Sequence, residues 1–253
     1  MSSERSLRQE LCDFARLLYE RGHNAPPDGN LSVRLSARTL LCTPSLHHKG
    51  RLGPADVVKV SAADGHSVDR GQTPSSEIRM HLAIYANRPD VHAVIHAHSP
   101  HAVGLSVAGV SMERPVVPEA VLALGGIPTV PYASPTTEDV PARVLAFVHR
   151  FNAFLLERHG PVALGTSLEE AFTRLEIAEH TARITVAALA AGGAQPLGEE
   201  EFARLRAMAV SAGLLRDPDG APASLGRPPR APEDEDALID ALAARVVERL
   251  GGR

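Results

Sequence analysis

The chain has 253 residues, with 26 lysines and arginines against 30 aspartates and glutamates, and a formal net charge of −4 at pH 7. This length suits one large domain with appendages, and the absence of a basic cluster argues against a nucleic-acid-binding protein. The N-terminus is too polar for a signal peptide, no apolar run reaches membrane-spanning length, and Cys12 and Cys42 are isolated. We therefore expect a cytoplasmic protein with neither a nucleic-acid nor a membrane partner.

The first quarter of the chain alternates between one helix and several short strands. Apolar residues recur at helical spacing from Ser6 to Arg21, which predicts an amphipathic helix. Residues 24–30 are loop-like in composition, and strands are predicted at Leu31–Leu35, Thr39–Thr43 and Asp56–Ser61. The loop brings Asn30 to the start of a strand.

A helix start is predicted where Pro74-Ser75-Ser76-Glu77 precedes apolar residues at helical spacing. Ser75 or Ser76 can cap this helix, which places Glu77 in its first turn. A helix start also offers free amides to a phosphate or another anion. The alternative is that these residues only cap the helix.

Histidines occupy one face of the next predicted strand, which runs from Val91 to His98. Because side chains alternate between the two faces of a strand, His96 and His98 point in the same direction. Two imidazoles at this spacing can reach one divalent cation, although an isolated His-x-His pair is a weak signal.

A third imidazole is predicted from His159, between strands at Phe154–Leu156 and Val162–Gly165. Residues 159–161 read as a turn or bulge, and the neighbouring Gly160 lets a metal ion come close to the backbone. The alternative is that His159 belongs to an ordinary surface turn.

Two helices are predicted to follow. Ser167 and Glu170 form a capping box that opens a helix over 168–191, on which Glu179 belongs to the charged side. A second helix is predicted over 199–214, and the domain is expected to end near residue 215.

The last part of the chain changes in composition. Residues 216–236 are rich in proline and poor in large apolar groups, which is typical of a linker. Residues 237–250 place their aliphatic side chains on one arc of a helix and predict a C-terminal amphipathic helix within 237–253. Such a helix either binds a partner or docks on its own domain.

The ordered set of motifs resembles the class II aldolase/adducin family, whose enzymes include L-fuculose-phosphate aldolase. The resemblance runs from about Leu7 to Ala190. It depends on four motifs in this order: Gly29-Asn30-Leu31-Ser32, Pro74-Ser75-Ser76-Glu77, His96-x-His98 and Arg158-His159-Gly160-Pro161.

The resemblance implies a single α/β domain with a central, mostly antiparallel sheet flanked by helices, and a homotetramer with shared active sites. It implies one Zn²⁺ per subunit, bound by His96, His98 and His159, with Glu77 as the catalytic acid and base. It also implies a phosphate subsite at Asn30, Thr43, Ser45, Ser75 and Ser76.

Two segments depart from the family pattern. Leu46 replaces an expected glycine and is followed by a His-His-Lys-Gly segment, in which Lys49 adds a positive charge. The tyrosine that fuculose-phosphate aldolases supply across a subunit interface is missing, and Tyr132 and Glu119 are the candidates to replace it.

The predicted function is a zinc-dependent lyase that cleaves a phosphorylated ketose by a retro-aldol reaction through a metal-stabilised enediolate. A dehydratase, an epimerase or a decarboxylase acting on a sugar phosphate or sugar-acid phosphate can use the same site. The rival hypotheses are a non-catalytic, adducin-like scaffold and a purely structural metal site.

Deleting residues 216–253 tests the hypothesis that the C-terminal segment binds a partner. Helices behind proline-rich linkers resemble encapsulation peptides, so we expect the truncated enzyme to keep its zinc and turnover but to lose binding to a microcompartment shell or co-cargo protein. Pull-down of that partner with 216–253 fused to a fluorescent protein measures the association. Loss of folding or activity on deletion would show that the helix docks on its own oligomer.

Overall fold

The computed structural model describes residues 3–69, 71–137 and 139–215, and the predictions for 216–253 lie outside them. The strands are β1 Asn30–Arg34, β2 Thr39–Cys42, β3 Val58–Ser61, β4 Ala93–His96, β5 Thr129–Val130, β6 Ala153–Leu156 and β7 Gly160–Gly165. The helices are α1 Glu4–Glu20, α2 Ile78–Asn87, α3 Pro100–Val107, α4 Pro118–Leu124, α5 Asp139–Val148, α6 Leu168–Ala190 and α7 Glu199–Ser211.

The strands form one seven-stranded sheet in the order β3-β2-β1-β4-β7-β6-β5. Every pairing is antiparallel except that of β5 with β6, which is parallel. The predicted α/β fold with a mostly antiparallel sheet is therefore confirmed. β4 lies at the centre, where His96 pairs with Asn30 on β1 and with Val162 on β7.

The two faces of β1 show how the sheet is covered. Leu31 and Val33 belong to a buried apolar cluster with residues of α1 and α6. The alternating residues Asn30 and Ser32 instead form hydrogen bonds with residues of α2 or at its start. Helices therefore cover both faces, as expected for an α/β layer structure. Among the described residues, no helix is long and apolar enough to cross a membrane.

The predicted helices and strands are present, with shifted ends. The first helix begins at Glu4 rather than Ser6, the strand predicted from Asp56 begins at Val58, and the last described helix ends at Ser211 rather than residue 214.

The predicted capping box at α6 forms only in part. Ser167 Oγ accepts from Glu170 N at 3.1 Å, but the Glu170 carboxylate accepts from Thr166 N at 2.6 Å. The reciprocal hydrogen bond of a capping box would join the Glu170 carboxylate to the backbone N–H of the N-cap residue Ser167. Here the carboxylate accepts from Thr166, the residue before the N-cap.

Glu179, which was predicted on the charged side of α6, does not lie on an exposed face. Its side chain is buried, and its carboxylate accepts from His101 N at 3.1 Å and from Ala102 N at 3.0 Å. These amides belong to the first turn of α3, where the backbone N–H groups have no acceptor within the helix. Glu179 therefore fixes α3 on α6, a tertiary role that helical periodicity does not reveal.

Gly160 permits the closest approach between two segments of the sheet. A Cβ atom built on Gly160 would lie 2.0 Å from the backbone oxygen of Ala97. In the same place, Ala97 N donates to Pro161 O at 3.1 Å. Only a residue without a side chain can stand here, because backbone atoms rather than a flexible side chain fill the space.

Gly160→Ala is expected to lower the free energy of unfolding by roughly 1–3 kcal/mol, the usual cost of forcing extra volume into a packed site. Gly104→Ala is the matched control, because its Cβ would meet nothing within 4 Å and Gly104 lies inside α3. That control should be neutral or stabilising by about 0.5–1 kcal/mol. Urea unfolding of both variants measures the difference, and equal midpoints would contradict the packing argument.

Candidate metal centre

Three histidines converge at one end of the central strands. His96 ends β4, His98 follows two residues later, and His159 lies in the turn between β6 and β7. The ring centroids are 5.0 Å apart for His96 and His98, and 4.6 Å apart for the other two pairs. The structure thus brings His159 to two histidines that lie more than sixty positions earlier in the sequence.

Glu77 completes the cluster from the start of α2. Its Oε2 lies 3.5 Å from His96 Nε2, and its Oε1 lies 3.4 Å from His159 Nε2. One ligand atom from each of Glu77, His96, His98 and His159 lies within 4.8 Å of the others, which is a spacing that can hold a metal ion.

Glu77 was expected in the first turn of α2, capped by Ser75 or Ser76, but it is itself the N-cap residue. Its side chain forms no capping hydrogen bond. The carboxylate is turned away from the helix toward the imidazoles, and Asn30 Nδ2 donates to it at 2.7 Å. The serines therefore do not cap this helix, since the chain turns into it one residue later than predicted.

The hydrogen bonds of the histidines leave their Nε2 atoms available. His96 Nδ1 donates to Pro161 O at 3.0 Å, so the lone pair of its Nε2 faces the cluster. His98 Nε2 is buried and has no hydrogen-bond partner among the described residues. Three imidazoles and one carboxylate, with an unsatisfied buried nitrogen among them, fit a zinc-type ion.

Burial sets the protonation of these groups. It holds the pKa of His96 well below its usual value, an effect strengthened by His159 and His98, and it lowers the pKa of His159 to about 4. Burial also lowers the pKa of His98. The imidazoles are therefore neutral at neutral pH, which is the form that binds metals. Burial raises the pKa of Glu77, although the hydrogen bond from Asn30 opposes the shift.

A second set of buried polar residues holds the segment that carries His98. Asn24 Oδ1 accepts from His98 N at 2.9 Å. His23 Nδ1 contacts Ser99 Oγ at 2.9 Å, while its Nε2 lies 2.5 Å from Glu176 Oε1 on α6. Sequence reasoning missed these residues, because a loop histidine and a helical glutamate carry no periodic signal.

A cavity of about 210 Å³ opens beside the cluster. Its lining includes Glu77, His98 and His159, and also most of the residues predicted to bind phosphate: Asn30, Ser45, Ser75 and Ser76. Thr43 does not line it. The Thr43 side chain is fully buried, and its Oγ1 accepts from Leu31 N at 3.2 Å, so its hydroxyl joins β1 to the end of β2.

Lys49 lines this cavity although it is only 2% exposed. Its Nζ donates to Pro27 O at 2.6 Å and to His47 O at 2.9 Å, and burial lowers its pKa to about 8. The predicted extra positive charge therefore lies at the site.

Tyr132 and Glu119, the candidates to replace the family tyrosine, are not in the lining of this cavity. Tyr132 is half exposed, and Glu119 lines a different cavity of about 590 Å³ together with Arg88 and Arg174. Neither residue lines the cavity beside the metal cluster.

Backbone strain is concentrated around the centre. In the part of the chain that the structure describes, the non-glycine residues with positive φ are Leu46, Thr136 and Arg158, at 58°, 66° and 59°. Leu46 and Thr136 line the cavity, and Arg158 directly precedes His159. Such strain commonly accompanies functional sites because other contacts there enforce the conformation.

Comparison with known proteins agrees with this geometry. The model of the Class II Aldolase and Adducin N-terminal domain family matches residues 9–186. A 3-oxo-tetronate 4-phosphate decarboxylase from Cupriavidus necator is 40% identical over 188 residues, covering 73% of this chain and 85% of the relative. A methylthioribulose-1-phosphate dehydratase from Pseudomonas syringae is 45% identical over 104 residues, covering 41% of this chain and 50% of the relative.

The fold also matches solved structures. An L-fuculose-1-phosphate aldolase from Thermus thermophilus superposes with a TM-score of 0.66 at 27% identity, covering 78% of this chain and 100% of the other. The resemblance pointed to fuculose-phosphate aldolases, but the decarboxylase is more similar to this chain in sequence than this aldolase is. Fuculose-phosphate aldolase is thus not the specific match. This chain belongs to the class II aldolase/adducin family and is an enzyme of that superfamily.

Proposed function

We propose that this enzyme decarboxylates a phosphorylated 3-oxo sugar acid. Its relatives place it among sugar-phosphate lyase-type enzymes, and a 3-oxo-tetronate 4-phosphate decarboxylase from Escherichia coli K12 is 38% identical over 86% of that protein's length. The observation that carries the proposal is the carboxylate of Glu77, which is only 12% exposed, faces two imidazoles and has a raised pKa.

His96, His98 and His159, with Glu77 beside them, would hold one divalent ion per subunit, which we take to be Zn²⁺. When bound, such an ion supplies Lewis acidity that draws electrons toward the substrate carbonyl oxygen. The imidazoles need no deprotonation at neutral pH, since burial already keeps them neutral.

Glu77 would supply the single proton that the reaction requires. When the bond between the carboxylate carbon and its neighbour breaks, CO₂ leaves and the electron pair passes to the carbonyl group. A proton must then reach the neighbouring carbon to restore the ketone, and protonated Glu77 can deliver it. Because burial raises the pKa of Glu77, more of its carboxyl group is protonated near neutral pH than in water.

Decarboxylation needs no counterpart of the tyrosine that fuculose-phosphate aldolases supply across a subunit interface. Retro-aldol cleavage releases an aldehyde, so a second group must remove the proton from the departing hydroxyl. A carboxylate leaves as CO₂ and carries no proton. Neither Tyr132 nor Glu119 is needed for the proposed reaction.

The substrate phosphate would bind at the side of the cavity lined by Ser45, Ser75 and Ser76, close to the start of α2. The start of α2 has no side-chain cap, and the dipole of the helix favours an anion near its N-terminus. Thr43 and Asn30, predicted for this subsite, are instead engaged with Leu31 N and Glu77. The homotetramer, the cytoplasmic location and the microcompartment partner stay predictions.

Substitution of the cluster tests the assigned roles. Alanine at His96, His98 or His159 should lower bound zinc sharply, because each supplies one of three imidazoles. Glu77→Gln should retain zinc and lose at least about a hundredfold in kcat, the usual scale of lost acid–base catalysis. His92→Ala is the control, since His92 lies just before β4 with an exposed side chain. Elemental analysis and steady-state kinetics measure both properties, and near-normal turnover of Glu77→Gln would remove its proposed role.

A substrate panel tests the reaction class. We expect CO₂ release from 3-oxo-tetronate 4-phosphate and little cleavage of fuculose 1-phosphate or dehydration of methylthioribulose 1-phosphate. The dephosphorylated acid should have a much higher KM, because it lacks the anion that Ser45, Ser75 and Ser76 would bind. Efficient retro-aldol cleavage without CO₂ release would contradict the proposal.

A further inference from the structure

A ladder of polar side chains, all buried except Glu77, connects α2 with β1 beside the metal cluster. Glu77, His81 and Tyr85 recur at four-residue spacing along one side of α2, and they meet Asn30 and Ser32 on one face of β1. The contacts are Asn30 Nδ2 to Glu77 Oε2 at 2.7 Å, Ser32 Oγ to His81 Nδ1 at 2.6 Å and Ser32 Oγ to Tyr85 OH at 2.9 Å.

Two atoms of this ladder lack a partner. Asn30 Oδ1 and His81 Nε2 are buried and form no hydrogen bond with the described residues. Asn30 is 3% exposed and His81 is 1% exposed, so bulk water does not reach them. A buried polar atom left without a hydrogen bond costs about 1–3 kcal/mol, and native proteins commonly satisfy such atoms with internal water.

Counting protons shows what kind of partner both atoms need. Tyr85 OH has one proton, and when it donates that proton to the carbonyl oxygen of Ser32 at 3.0 Å, the Ser32 hydroxyl donates to Tyr85 OH at 2.9 Å. Ser32 Oγ can then only accept from His81 Nδ1, which leaves His81 Nε2 as an acceptor. Asn30 Oδ1 is also an acceptor, because its Nδ2 serves Glu77. Two acceptors cannot satisfy each other, but one water molecule can donate to both.

We propose that His81 is a positioning residue for Glu77, acting through a buried water that donates to His81 Nε2 and Asn30 Oδ1. The inference rests on the proposed function in one respect, namely that Glu77 transfers the proton. Asn30 lies between the two, since its carboxamide receives the water at one atom and holds Glu77 with the other.

The role of the water is to keep the Asn30 carboxamide in one orientation. Rotation of this group by 180° would turn Oδ1 toward the Glu77 carboxylate, and two acceptors would then face each other. A water fixed by His81 favours the orientation that donates to Glu77. Asn30 also pairs with His96 across β1 and β4, so its position is coupled to the metal cluster.

Two substitutions at His81 distinguish the roles of its two ring nitrogens. His81→Asn keeps an amide nitrogen near the Nδ1 position and has no atom near Nε2, while His81→Gln keeps an amide near Nε2. We expect kcat to fall about tenfold in His81→Asn with KM and zinc content unchanged, and to stay within about threefold of wild type in His81→Gln. Equal losses in both variants, or none in His81→Asn, would overturn the proposal.

Two further measurements use metal-free protein and do not depend on turnover. In ¹⁵N-histidine NMR of the wild-type chain, His81 should show the Nδ1–H tautomer. An Nε2–H tautomer would contradict the proposal, and this measurement does not require any variant to fold. In urea unfolding, the shift caused by His81→Asn should be much smaller in an Asn30→Ala background than in wild type. Additive shifts would show that the residues are independent. If both tests succeed but Glu77→Gln keeps its turnover, the bridge stands and the proposed role of Glu77 fails.

Discussion

The site depends on the backbone contact between the end of β4 and the start of β7. Ala97 N donates to Pro161 O, and the missing side chain of Gly160 lets the two chains come together. This contact places the turn that carries His159 against the end of the strand that carries His96. Without it His159 would remain apart from His96 and His98 at the sheet edge.

The electrostatics of the centre follow from its burial. Three protonated imidazoles cannot share a buried space, because desolvation and mutual repulsion both oppose their charge. Burial therefore prepares neutral metal ligands and also raises the pKa of the nearby carboxyl group. The same low-dielectric surroundings make every unsatisfied polar atom costly, and they strengthen the hydrogen bonds that Asn24 Oδ1, Asn30 Nδ2 and His23 Nδ1 form there.

Much of this arrangement could be predicted from sequence, because the informative signals are local. A two-residue period identifies His96 and His98, and a glycine-proline turn marks His159. The positions of Glu77, Thr43 and Glu179 were less predictable. The orientation of Glu77 and the burial of Glu179 depend on hydrogen bonds to residues far away in sequence. The Thr43 hydroxyl is occupied by a hydrogen bond from Leu31 N on the neighbouring strand. Local periodicity reports which face of an element is apolar, but not which polar group a buried amide recruits.

The carboxylate of Glu179 has a consequence for stereochemistry. Two helices, α2 and α3, begin near the imidazoles, but Glu179 already occupies the first-turn amides of α3. The start of α2, where Ser75 and Ser76 line the cavity, is therefore the helix start that faces a substrate. An anionic substrate placed against it has its charged end fixed on one side of Glu77, so a single prochiral face of the reacting carbon is presented to the proton.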